Sequence, residues 1–237
     1  MIRPAVHVGT SGWSYSWNPD GLDWYVKNSG LDTVELNMSF YRLPYQNMVK
    51  GWARKGKDLL WSVKVNRLIT HVHRLNEKSY RIWNWFRDRF KPLEDTGNLK
   101  YYLFQLPPSA KPTEELLDRL KRFAQMTRLG PRFALEGRNE DWFSDDIVSW
   151  ARRLGITLVS VDAPELPRCI MNSNGHIYLR IHGRYSWYSY DYSENELKEI
   201  RDRILSVGNV LSVYIYFNND HAMLHNARAM KKLFGNV

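Results

Sequence analysis

Glu35 and Asn37 stand two apart in the stretch TVELNMSFY (33–41), with apolar residues between and around them. The same alternation recurs along the chain at Ser62, Lys64 and Asn66, at Gln105, at Glu136 and Arg138, at Ser160 and Asp162, at Arg180 and His182, and at Tyr214, Tyr216 and Asn218. Three carboxylates, three long-chain cations and an imidazole are the raw material of acid/base chemistry. Unlike charges at close range push carboxylate pKa values apart, and an imidazole moves protons near neutrality. Glu136 is the first choice for a general base and His182 for its proton-transfer partner, with Glu35, Lys64 and Asp162 completing the catalytic set. Arg180 offers a planar, permanently charged, bidentate grip on an anionic ligand. Arg138, Asn37, Asn66, Gln105 and Asn218 supply further polar contacts.

Such alternation needs strands to carry it, because successive strand side chains point to opposite faces. Eight runs rich in β-branched and aromatic residues qualify: AVHVGT, DTVELN, LLWSVKV, KYYLFQL, RFALEGR, ITLVSVD, IYLRIHG and SVYIYFNN. Helical segments lie between most of them, with start signals at Pro44, Thr113 and Ser144, a capping box in SENE (193–196), and Asp220 as the expected cap of the last helix. Strands alternating with helices imply a parallel sheet. The connection APELPRCIMNSNG between the sixth and seventh strands holds two prolines and little helical pattern, so one covering helix is expected to be short or missing.

An open parallel sheet is covered by helices on both faces and has no use for so many polar residues on one parity. Closure into a barrel resolves this, since one parity then faces the helices and the other the axis. The outward set is Val34, Leu36, Val63, Val65, Phe104, Leu106, Phe133, Leu135, Val159, Val161, Leu179, Ile181, Val213, Ile215 and Phe217, all apolar. The expected architecture is therefore α/β: a single TIM-like (β/α)8 barrel domain over residues 1–237, with a polar pocket on its axis.

The loops expected at the pocket mouth are aromatic: Trp13, Tyr15 and Trp17, then Phe40 and Tyr41, Trp142, and Tyr185, Trp187, Tyr188 and Tyr190. Aromatic faces beside a polar pocket stack on sugars or bases. In RIHGR (180–184), Arg184 joins Arg180 as an anion contact at the rim. These residues favour an enzyme for a small polar or anionic, phosphorylated or sugar-like molecule. A second class, nucleic-acid binding or processing, draws on the net charge of +9 together with ten Trp and fourteen Tyr. No cofactor is predicted. Glu, Asp and His at several strand ends could hold a divalent metal, but the interior cations compete for the same carboxylates. The pairs His71/His73 and His221/His225 have no third ligand nearby in sequence. One cysteine, Cys169, and the lack of a signal-peptide or membrane-length apolar run point to a cytoplasmic protein with no membrane partner.

The stretches VGTSGWSY, VELNMSFYRLP, FQLPPS, YLRIHGRY and YFNND occur in order through essentially the whole chain, and in them it resembles the domain-of-unknown-function family seventy-two, the YecE-like family. The resemblance implies a TIM-type barrel and no settled activity. It also exposes a departure. Where the family pattern after the fifth strand runs EFRHxSW, this chain keeps Glu136, Arg138 and Trp142 but has Gly137 and Asn139, so chemistry resting on that histidine does not carry over.

Overall fold

In the computed structural model, which describes residues 4–235, eight parallel strands close into a barrel in sequence order. They are β1 (Ala5–Ser11), β2 (Thr33–Leu36), β3 (Leu60–Lys64), β4 (Leu99–Gln105), β5 (Phe133–Glu136), β6 (Thr157–Asp162), β7 (His176–Ile181) and β8 (Ser212–Phe217). Closure satisfies every strand edge, and strand register then decides which side chains share a level. Ser11 lies beside Glu35, Gln105 beside Glu136 and Arg180 beside Tyr216.

The outer layer comprises α1 (Gly21–Asn28), the short α2 (Met38–Tyr41), α3 (Gln46–Lys55), α4 (Lys78–Glu94), α5 (Glu114–Thr127), α6 (Asp145–Leu154), α7 (Glu194–Leu205) and α8 (Met223–Gly235). Their apolar stripes follow helical spacing. On α4, Trp83, Phe86 and Phe90 are buried, with Trp83 against Tyr102 and Phe104 of β4. Each such side chain contributes roughly 1.5–3 kcal/mol by leaving water. Of its basic residues Lys78, Arg81 and Lys91 face solvent, while Arg87 pairs with Glu94 and Arg89 donates to the Pro44 carbonyl.

Thr113 and Ser144 cap α5 and α6 through their side chains, and Ser193 with Glu196 forms the complete capping box of α7. The expected cap at Asp220 is corrected: Asp220 has a left-handed backbone (φ 57°) inside a 3-10 turn, Asp220–Ala222, and α8 begins only at Met223. Residues 163–175 carry no helix, as the two prolines led one to expect.

That gap reverses the parity expected for β6. Val159 and Val161, assigned to the helix side, pack inside the barrel with Ala163, Tyr178 and Tyr216. Ser160 and Asp162 point out instead. Ser160 Oγ accepts from the Met171 amide (2.8 Å), and Asp162 accepts from Tyr192 (2.7 Å) and Arg203 (3.2 Å). Without a helix over β6, its outer side is covered by irregular chain with backbone donors to satisfy and by the polar edge of α7. Polar side chains find partners there, while the valines fill the axis.

Candidate functional site

The lower barrel axis is a column of tyrosines. Tyr101 packs on Tyr214 (5.0 Å) and Tyr178 (5.2 Å), and Tyr178 on Tyr216 (5.0 Å). Above them the axis turns charged. Burial beside Glu35 pushes the Tyr178 phenol well above its usual pKa, so it keeps its proton and donates a hydrogen bond to Glu35 Oε2 at 2.6 Å. Ser62 in turn donates to Tyr178 (2.7 Å). Glu35 Oε1 accepts from Ser11 Oγ (2.7 Å) and from Arg180 Nη2 (2.7 Å) and Nε (3.2 Å).

Arg180 also donates Nη1 to Glu136 Oε2 at 2.8 Å, and the other Glu136 oxygen accepts from Arg138 Nε. Burial alone would raise the Glu136 carboxyl, yet Arg138, Arg180 and Lys64 hold it below the ordinary carboxylate range. It is therefore a firmly ionised and weak base. Arg138 Nη2 lies 3.2 Å from His182 Nε2. A guanidinium can only donate, so His182 accepts there and carries its proton on Nδ1. Burial, with Arg138, Arg180 and Lys64 nearby, keeps this imidazole neutral, its pKa well below the usual value. One hydrogen-bonded chain thus runs from Ser62 through Tyr178, Glu35, Arg180, Glu136 and Arg138 to His182.

Lys64 stands apart from that chain. At the C-terminal end of β3, its Nζ lies 4.1 Å from the centre of the Phe40 ring and has no hydrogen bond or ion pair among the described residues. It is nevertheless not among the unpartnered side-chain atoms sealed from solvent. Burial, then Arg180 and Arg138, push its pKa down to about 7 against the pull of Glu136 and Glu35. Beside Phe40, edge-on at 4.9 Å, stands His71, whose pKa burial and Lys64 hold down at about 4.

Arg138 also lines a mouth cavity of about 620 Å³ with Gln105, Asn139, Glu165, Trp187 and Tyr188, and its guanidinium lies 4.7 Å over the Trp187 ring. A larger cavity, about 1200 Å³, opens at the opposite end of the barrel beside Asn174, Gly175 and Leu211. It precedes β7 and β8 and receives none of the charged chain. Among the described residues, no three His, Cys, Asp or Glu side chains gather as a metal-binding group, and no helix is long and apolar enough to cross a membrane.

Several residues expected at the mouth lie elsewhere. Trp13 is core, edge-on to Trp52 and Trp61 (both 5.7 Å). Trp142 is buried and donates Nε1 to the Ala110 carbonyl (2.7 Å), and a Cβ on Gly137 would meet its Cγ at 2.1 Å, so an aromatic residue at 137 does not fit this packing. Arg184 binds Glu199 (2.8 Å) and faces Asp162 (3.5 Å) outside the barrel. Its neighbour Gly183, at φ 121°, makes room for the Ser186 carbonyl of its own loop rather than for a ligand. Tyr41 is exposed beside a small groove that Asn66 also lines, and Asn66 holds a turn by donating to the Ser39 carbonyl and accepting from Leu68. Tyr15 donates to the Ser11 carbonyl (2.9 Å) close enough to Glu35 and Arg180 to feel both charges. Asn37 Oδ1 is buried without a partner, Gln105 makes only a long bond to Leu106 (3.4 Å), and Asn218 joins β7 through its backbone.

Trp187 and Tyr188 line the mouth cavity as expected, whereas Ser11, Tyr178 and His71 were missed as site residues. Ser11 and Tyr178 share the inward parity of their strands, which was a usable signal. The place of His71 depends on a π-turn, Leu68–Val72, with no clear sequence signature.

Among curated proteins none matches the chain. Among solved structures, a DUF72 family protein from Thermotoga maritima MSB8 superposes with a TM-score of 0.87 at 28% identity, covering 98% of this chain and 99% of that one. One from Enterococcus faecalis V583 gives 0.85 at 21%, covering 99% of each. A D-psicose 3-epimerase gives 0.56 at 10%, covering 97% and 99%, which is a likeness of fold alone. The family model described as protein of unknown function DUF72 matches residues 7–237, and this barrel, with its charged axis, belongs to that family.

Proposed function

We propose that the chain is an enzyme that uses the upper end of the barrel for proton transfer on a small, polar, anionic molecule. One observation carries this reading. Of the interior ionisable groups Glu35, Lys64, Glu136, Arg138, Arg180 and His182, Lys64 alone has no polar partner among the described residues, although burying an unpaired cation is costly. With a pKa of about 7, its amine both accepts and releases protons at neutral pH, the range in which general acid/base catalysis works best.

The roles shift accordingly. Lys64 replaces Glu136 as first choice for the base. Glu136, gripped by two arginines, fixes the position of Arg138 and stabilises positive charge. Arg180, with both carboxylates on its donors, serves as the internal strut, and Arg138 becomes the principal anion contact. The neutral His182 accepts from Arg138 and orients it.

Ligand binding to the native state raises stability by mass action, about 2.7 kcal/mol at a hundredfold excess over Kd. A thermal-shift panel of inorganic phosphate, sugar phosphates and small carboxylates is therefore expected to contain stabilising anions whose shift is lost in Arg138→Met. Anions that stabilise the folded variant equally would place the anion site elsewhere.

A second reading, nucleic-acid binding, rests on a different surface. Tyr41, Tyr45 and Trp85 are exposed, Arg89 lies 5.9 Å over Trp85, and Arg67 borders the same groove. Basic charge interleaved with aromatic faces suits single strands. Retention on single-stranded DNA that falls steeply with salt, and is weakened by Trp85→Ala, would favour it.

A further inference from the structure

We propose that Lys64 is a nucleophile that condenses with the aldehyde or ketone carbon of an anionic carbonyl substrate. This deepens the preceding reading and rests on it, since the anion contact is the one assigned to Arg138.

Four features of the site lead to a covalent amine rather than a structural cation. The interior charges already cancel without it, two carboxylates (Glu35, Glu136) against two guanidiniums (Arg138, Arg180), so a protonated Lys64 adds an uncompensated charge. The Nζ is unpartnered but still reached by solvent, which leaves its lone pair available to an incoming carbon. It sits at the C-terminal end of a barrel strand, where barrels of this type present their reacting groups. The Phe40 face beneath it and the Arg180 and Arg138 charges nearby favour the neutral amine, consistent with a pKa of about 7. Lysines desolvated in apolar surroundings or set beside other cations are activated for Schiff-base formation in this way.

The step balances without any further reactant. The Nζ lone pair forms the N–C bond, the carbonyl π pair moves to oxygen, and a proton lost by nitrogen and one taken from solvent leave with that oxygen as water. Amine, carbonyl and one proton thus give a protonated imine and one water. The proton that nitrogen loses passes to the carbonyl oxygen through solvent at the accessible Nζ, and His71, on the same Phe40 ring, stays unprotonated near neutrality and adds no further positive charge there. The positive nitrogen of the imine then acts as an electron sink, and the carboxylate of Glu136, among the charges acting on Lys64, stabilises it.

The test is reductive trapping at pH 7 with glyoxylate and cyanoborohydride, which delivers hydride to the imine carbon and leaves a carboxymethyl group on the lysine. Peptide mass spectrometry then reads labelling lysine by lysine. A free lysine side chain in water is almost wholly protonated at this pH, whereas one titrating near 7 is about half neutral, so Lys64 is expected to label at least about tenfold faster than exposed lysines such as Lys50, Lys57 or Lys121. Acetaldehyde in place of glyoxylate separates the amine from the anion contact: Arg138→Met removes one of the charges that keep Lys64 neutral and so slows both aldehydes, but should lower the glyoxylate rate at Lys64 by a several-fold larger factor than the acetaldehyde rate. Labelling of Lys64 no faster than the exposed lysines, in a protein whose anion-dependent thermal shift is intact, would overturn the imine while the proton-transfer reading stands. Fast labelling in wild type that falls by the same factor with both aldehydes in Arg138→Met would instead remove the anion contact and keep the nucleophile.

Discussion

The protein contains two buried acid–arginine networks built from the same residue types, one inside the barrel and one outside it. Inside, Glu35 and Glu136 are 0% exposed and Arg180 is 1% exposed, and the chain of contacts climbs toward the mouth cavity at Arg138. Outside, Asp162 is equally buried, but its partners lead into water through Arg203 (29% side-chain exposure) and Glu199 (51%). The outer set also spans the gap left by the missing helix, with Arg203 bonded to the Arg168 carbonyl and Arg168 to that of Arg184. Arg203 and Glu199 can turn to water when a partner is lost. The inner set has no such exit, so its charges must balance among themselves, and the surplus amine of Lys64 is left to the pocket.

The sharpest way to break this comparison is to delete one carboxylate from each network. Glu35→Ala leaves Arg180 half-paired and Tyr178 and Ser11 without their acceptor, and is expected to cost about 3 kcal/mol or more in urea unfolding. Asp162→Ala is expected to cost about 1–2 kcal/mol, because its arginine partner Arg203 reaches water. Equal losses in the two variants would show that the inner set is solvated as well.

Lys64→Met sharpens the same contrast with the opposite sign. The folded pKa of Lys64, about 7, lies below its unfolded value near 10.4, so between these limits the unfolded chain binds the extra proton and wild-type stability gains as pH rises. Below about pH 7 the folded protein bears the full cost of the charged amine. The variant should be more stable than wild type at pH 7 by at least about 1 kcal/mol, with the difference shrinking toward pH 10. A variant less stable than wild type at pH 7 would mean that Lys64 is paired in solution.

The same contrast is also tested at Gly137, next to Glu136. An alanine Cβ there would strike Trp142 near its attachment to the backbone, where the side chain has little room to yield, and a cost of about 1–3 kcal/mol is expected in chemical denaturation. A neutral substitution would show that the strand end carrying Glu136 and Arg138 can shift, and that the inner network is less rigid than its contacts imply.

The barrel, its closure and most of its polar axis were legible in the residues themselves. Period-two alternation is a local property that survives any arrangement of the strands, and the caps at Thr113, Ser144 and Ser193 are satisfied within one helical turn. What the sequence could not convey was which neighbours each side chain would meet. On β6 the polar parity turned outward because irregular chain and α7 cover it, a choice made by partners tens of residues away. Trp13 and Trp142 resemble mouth aromatics in sequence, yet the first fills the space between Trp52 and Trp61 and the second the space over Gly137. Arg180 was visible as an inward guanidinium, but only closure brings Glu35, 145 residues away in the chain, within 2.7 Å of it. The unpaired state of Lys64 was decided the same way. Its charge is written in the sequence, whereas its lack of a counter-ion follows from how the other four interior charges, drawn from three strands and a loop, pair among themselves.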